Sequence, residues 1–187
     1  FRRVLFRSLN LRRGLAHKNS QVYNPRLANT LNILGMVHCD MNRYDEAEES
    51  LKEAYKIRSY LVDIDPDSFE RDLANTLNNL GVLCAKQGKG DLAESYFKKA
   101  LEIQQNLVGK SVEAHTSYLL EILGNVIDLY RDLGQKEEEG KYTKLLRLNE
   151  ETLEKAKACV ACAPTTRPVT ARPSMGSSGT TSTTLRK

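Results

Sequence analysis

Apolar residues recur along this chain at intervals of three and four, the spacing that lines one face of an α-helix. Leu27, Leu31, Leu34 and His38 or Cys39 form one such stripe; Leu73, Leu77, Leu80, Leu83 and Cys84 form another. A break follows at Met41-Asn42-Arg43, at Gln87-Gly88-Lys89-Gly90 and at Leu133-Gly134-Gln135. Asn and Gly there suit a helix end that must enter the left-handed region. A second stripe then runs through Ala47, Leu51, Ala54, Ile57 and Leu61, and through Ala93, Phe97, Ala100, Ile103 and Leu107. This second helix is expected to start near Asp45 or Asp91, with the carboxylate capping free amides. Ending near Val62, it would span about 27 Å. Asp65-Pro66-Asp67-Ser68 closes it and opens the next helix, because Pro cannot continue the hydrogen-bond ladder.

The stripes repeat. Leu27-Ala-Asn-Thr-Leu-Asn-Ile-Leu-Gly35 returns as Leu73-Ala-Asn-Thr-Leu-Asn-Asn-Leu-Gly81, an offset of 46 residues. The same offset carries Ala47 to Ala93, Ala54 to Ala100, Leu77 to Leu123 and Gly88 to Gly134. Applied backwards, it lays Leu9–Arg26 under Tyr55–Asp72. The organisation predicted is three units, 27–72, 73–118 and 119–157, preceded by the trailing part of another at 9–26. The small Ala residues let paired helix axes approach closely, with Leu or Phe filling the adjacent hole.

This pattern resembles the tetratricopeptide repeat. With Leu31 at the fourth motif position, Leu34-Gly35 falls at positions seven and eight, and Ala47, Leu51 and Ala54 at twenty, twenty-four and twenty-seven. Leu77, Leu80, Gly81, Gly88, Ala93, Phe97 and Ala100 match equally well. The unit is longer than the family's usual length of about 34 residues, which is similar to kinesin-light-chain-like and bacterial arrays of this repeat. The resemblance covers roughly residues 9–158 and implies an all-α solenoid: antiparallel helix pairs stacked into a right-handed α-α superhelix. The third unit departs from it, since Ile127 replaces the Gly at position eight and Glu139 stands where a small residue is expected. A one-residue deletion would align Tyr142, Leu145, Leu146 and Leu148 with the second stripe. Residues 135–157 read as a capping helix, whose charged outer face meets water.

Composition changes the picture only once it is located. The formal net charge of +4 suggests a nucleic-acid or membrane partner. Residues 1–8, however, contribute +3 and residues 159–187 contribute +4, leaving −3 in the repeat region. The opening Phe-Arg-Arg-Val-Leu-Phe-Arg-Ser resembles a translated sequencing adaptor, so 1–8 are set aside from fold reasoning. A start at Phe1 rather than Met reads as a fragment. Residues 158–187, rich in Thr, Ser, Pro and Gly, cannot bury enough apolar surface to order themselves, so a disordered tail is expected. Four Cys make no disulfide scaffold and suit a reducing, cytoplasmic setting. No window approaches about 18 consecutive apolar residues, which excludes a membrane-spanning helix.

Catalytic chemistry needs a constellation the chain does not offer. His17, His38 and His115 lie in three different units without metal-ligand spacing. Gly88-Lys89-Gly90 is a turn between helices rather than a phosphate loop. Cys159-Val-Ala-Cys162 lacks the second pair that zinc requires and the βαβ setting that redox chemistry requires. The expectation is therefore no enzyme, no cofactor and no metal. The Glu and Lys runs read as solvated helix faces.

Asn is the informative residue. The family resemblance implies that first helices line a concave groove, with Asn29, Asn32 and Met36 facing it from the first unit. Asn75, Asn78, Asn79, Val82 and Lys86 would face it from the second, and Asn125, Asp128 and Arg131 from the third. An amide both donates and accepts, so an Asn ladder can pair with the backbone of an extended peptide; an equal alternative is that the Asn bond their own unit's connector. The predicted function is a scaffold binding a protein or peptide in that groove, with neither nucleic acid nor membrane as partner, and with self-association through Leu9–Leu15. The alternative is the regulatory repeat region of a larger signalling ATPase or kinase.

Overall fold

The computed structural model of the chain describes residues 2–161. Among them are seven helices and no strand: α1 (Arg2–Lys18), α2 (Ser20–Asp40), α3 (Tyr44–Ile64), α4 (Pro66–Lys86), α5 (Gly90–Lys110), α6 (Val112–Asp132) and α7 (Lys136–Ala161). Helices α2 to α6 have 21 residues each. Two such helices, a three-residue turn and a one-residue joint make up the 46-residue period.

The turns are built alike. Asn42, Gly88 and Gly134 take φ of 56°, 72° and 68°. The amide of the next residue, Arg43, Lys89 or Gln135, donates to the carbonyl of His38, Cys84 or Tyr130, each at 2.9 Å. This is the left-handed helix stop that ties up otherwise orphaned carbonyls. At the joint, Asp65 accepts a hydrogen bond from the Ser68 amide at 3.3 Å, with Pro66 at the first helical position. The caps of α3 and α5 differ from expectation. Arg43 and Lys89 occupy the N-cap and make no side-chain cap bond. Asp45 and Asp91 lie inside the first turn instead, where their charge meets the positive end of the helix dipole. Both helices are also longer than expected; at 21 residues each spans about 31 Å.

Each helix packs on its neighbours in the chain, and α2 also touches α4, and α4 touches α6. No other pair of helices brings its backbones together among the described residues, though the Arg13–Glu53 ion pair links α1 to α3 through long side chains. One row, α2–α4–α6, is thus drawn together while α3, α5 and α7 stand apart, as inner and outer rows of a curved stack must. Ala47, Ala54, Ala93 and Ala100 are fully buried at the helix–helix contacts. The core runs along the array: Leu9, Leu27, Leu31, Leu34 and Ala54 at one end, then Cys39, Leu51, Leu80 and Leu83, then Leu77, Phe97, Leu119, Leu123 and Val126.

Two glycines set the separation within a unit. A Cβ on Gly35 would lie 2.6 Å from Leu51 Cγ, and one on Gly81 would lie 2.6 Å from Phe97 Cε1. Tyr142, Leu145 and Leu146 of α7 pack on the core as expected, whereas Leu148 is 60% exposed. The boundary set at residue 8 has no counterpart in the backbone, because α1 crosses it without a Gly or Pro to stop it. Leu9 is buried, so of the leucines in the Leu9–Leu15 stretch only Leu11 and Leu15 are exposed. Helix α7 continues to Ala161, past the expected end at 157; the rest of the tail lies outside the described residues.

The glycine contacts generate a paired prediction. Gly81→Ala forces its methyl against the buried Phe97 ring, and overpacking outweighs the gain in helix propensity, with a net loss of about 1–2 kcal/mol. Gly124→Ala meets nothing within 4 Å and should gain about 0.5–1 kcal/mol. Urea unfolding followed by circular dichroism should shift the two midpoints in opposite directions.

Candidate functional site

The residues expected to face the groove all lie on α2, α4 and α6, and four of their amides are joined across units. Asn79 Nδ2 of α4 donates to Asn32 Oδ1 of α2 at 3.0 Å. One unit further, Asn125 Nδ2 of α6 donates to Asn78 Oδ1 of α4 at 2.9 Å. The step is the same both times, so the Leu-Asn-Asn-Leu sequence supplies a donor and an acceptor on adjacent positions. Asn32, Asn78, Asn79 and Asn125 thus each bond an Asn of the neighbouring unit rather than their own unit's connector.

Asn78 is 1% exposed, so its amide joins α4 to α6 and does not reach the groove surface. Asn32, Asn75, Asn79 and Asn125 are half-buried, and Asn29 is exposed. A primary amide offers two donor hydrogens and an acceptor oxygen. Among the described residues, Asn32 therefore keeps its NH2 group unused, while Asn79 and Asn125 each keep an oxygen and one hydrogen. Met36 and Val82 are half-buried beside them.

The cations expected in the groove are committed to neighbouring carboxylates. Lys86 Nζ lies 3.2 Å from Asp40, a bond that raises the lysine's pKa. Arg131 binds Asp128 at 2.6 Å and Glu139 at 2.9 Å. Val82, Lys86, Asn125 and Asp128 come together around one crevice between α4 and α6. Met36 and Asn29 do not take part in it. On the outer row, Glu48–Lys52 and Glu94–Lys98 are solvated pairs one helical turn apart, at 2.6 and 2.5 Å.

Behind the groove sits a residue the sequence reading passed over. Arg58 of α3 is only 3% exposed, and burial pushes its pKa down. It donates to the Asp72 carbonyl at 2.7 Å, to the Thr76 hydroxyl and to Asn29 Oδ1. One guanidinium thus ties α2, α3 and α4 together and fixes a groove amide. The signal was present in the repeat: Arg12 and Gln104 occupy the equivalent places at the 46-residue offset. They donate to the carbonyls of Arg26 at 2.6 Å and His115 at 2.8 Å.

His38 is buried and neither of its ring nitrogens has a hydrogen-bond partner among the described residues. Cys39 and Cys84 are buried free thiols whose pKa burial pushes up. Among the described residues no three His, Cys, Asp or Glu gather in a metal-binding group, and no helix is long and apolar enough to cross a membrane. The pair Cys159 and Cys162 extends outside the described residues.

Comparison with known proteins adds the family. Models of the tetratricopeptide repeat match residues 27–62 and 72–138. No curated protein sequence matches. Among solved structures, BtubC (BKLC) from P. vanneervenii superimposes with a TM-score of 0.62 at 20% identity, over 96% of this chain. The chain spans 61% of that protein's length. At that identity the likeness is one of fold.

Arg58 yields a graded expectation. Arg58→Ala removes the donor to the buried Thr76 hydroxyl and to Asn29, leaves the Asp72 carbonyl with Thr76 as its only side-chain donor, and should cost about 2–4 kcal/mol. Arg58→Gln, which copies Gln104, should lose less than half of that. Thermal unfolding of the two variants beside the parent checks the order.

Proposed function

Because this chain belongs to the tetratricopeptide repeat family, whose repeats generally mediate protein–protein interaction, we propose that it is a binding module holding an extended protein segment in the α2–α4–α6 groove. The observation that carries this reading is the inter-unit amide ladder. Pairs Asn32–Asn79 and Asn78–Asn125 hold side-chain amides at a fixed register along the inner row. An extended backbone presents a carbonyl and an amide at each residue, and groups already fixed by one hydrogen bond lose little freedom when they make a second. Met36 and Val82 add apolar surface between the amides.

The charge distribution supports a protein partner over nucleic acid. The repeat region carries −3, and both groove cations are already paired. A phosphate backbone would need a basic stripe with stacking aromatics instead. The reading is of a scaffold without catalysis. Buried free thiols at Cys39 and Cys84 suit a reducing compartment such as the cytoplasm.

The test starts from a peptide selected on the chain from a random display library. Asn32→Ala together with Asn79→Ala should weaken its binding about tenfold, the worth of one or two hydrogen bonds. The paired variant should keep the parent's helical content. Fluorescence polarisation measures the affinity; undiminished binding to the double variant would defeat the ladder.

A further inference from the structure

Between α4 and α6 the groove floor opens into a crevice of about 220 Å³. Val82, Ala85, Phe97 and Leu129 form its apolar lining, and Asp128 and Asp132 stand on its rim. That volume is below the roughly 300–1,000 Å³ of small-molecule pockets and suits a single side chain.

The charges around it follow from the repeat. Asp40, Lys86 and Asp132 occupy one register line, 46 residues apart, on α2, α4 and α6. A single cation therefore stands between two carboxylates, and it bonds Asp40 at 3.2 Å. Asp132 has no ion-pair partner among the described residues. The same bond bridges the inner row between α2 and α4, whereas among the described residues no ion pair joins α4 to α6 at the crevice. Lys86 is the one cation lining the crevice, and nearby Arg131 divides its guanidinium between Asp128 and Glu139. The rim thus carries more negative than positive charge around an apolar floor.

We infer that this crevice is a subsite for an apolar side chain flanked by Lys or Arg in the bound segment. The inference rests on the groove reading above and adds a partner class to it: a basic, apolar-centred protein segment. The apolar residue leaves water against Phe97 and Leu129. Its basic neighbours meet Asp128 and Asp132, where complementary charge sets both selectivity and rate of association.

The experiment compares three fluorescein-labelled peptides on the full chain: Ser-Gly-Lys-Leu-Lys-Gly-Ser, the same peptide with Glu for both Lys, and the same peptide with Ser for Leu. The Lys-Leu-Lys peptide should bind at least about tenfold tighter than either, and its advantage over the Glu peptide should shrink as salt rises. Asp128→Lys with Asp132→Lys should reverse the order of the two charged peptides. Asp132→Asn, which keeps the shape of the rim, should narrow the gap. Equal or tighter binding of the Glu peptide, or an order unchanged in the charge-reversed variant, overturns the inference. If the Glu peptide binds and Asn125→Ala weakens it, the charge preference fails while the groove reading stands. If no peptide of any charge binds, both fail.

Discussion

The close approach of the two helices within each unit is the constraint from which the rest of the array follows. Leu51 sits where a Cβ on Gly35 would be, and Phe97 where a Cβ on Gly81 would be. With that separation fixed, the flanking Ala residues bury completely and each pair becomes a rigid slab with one apolar face toward each neighbour. Stacking slabs of one shape at one offset gives a regular curve, and the curve brings α2, α4 and α6 together as its inner row. The third unit keeps the slab by a different distribution of bulk. At the same offset Ile127 takes the glycine's place and Thr143 takes that of Phe97, so the larger residue moves from the second helix to the first.

Polar residues do the work of joining slabs. Arg12, Arg58 and Gln104 each reach from a second helix to a carbonyl of the following first helix. A buried guanidinium is costly unless all its directions are used, and Arg58 uses its own on three partners drawn from two other helices. Asn78 does the same on the inner row, giving up its exposure to hold α6. The groove amides are thus extensions of the packing: Asn29 is set by Arg58, Asn79 by Asn32 and Asn125 by Asn78.

Much of this was legible in the sequence because the repeat supplied an internal control. The apolar stripes, the left-handed turn at Asn42, Gly88 and Gly134, and the Asp65-Pro66 joint all follow from side-chain periodicity and from φ restrictions, which act locally. The helix starts were less legible, since Asp45 and Asp91 satisfy the dipole from within the first turn as well as a cap would. The role of Arg58 was hidden for another reason: a charged residue on an apolar stripe reads as an exposed edge until its three acceptors, on α2 and α4, are brought together by folding. The Asn pairs were hidden likewise, because a bond between residues 47 positions apart depends on the curvature of the stack.

The central claim is that side-chain amides of the inner row meet the bound segment. Side-chain NH2 resonances report on this directly, one residue at a time. In a titration of the isotopically labelled chain with the Lys-Leu-Lys peptide, the signals of Asn32, Asn79 and Asn125 should shift together and saturate at one affinity. Backbone amide signals from the outer row, at Glu94, Ser95 and Lys98, should stay in place. Movement confined to the outer row, with the three Asn signals unmoved at saturation, would contradict the account.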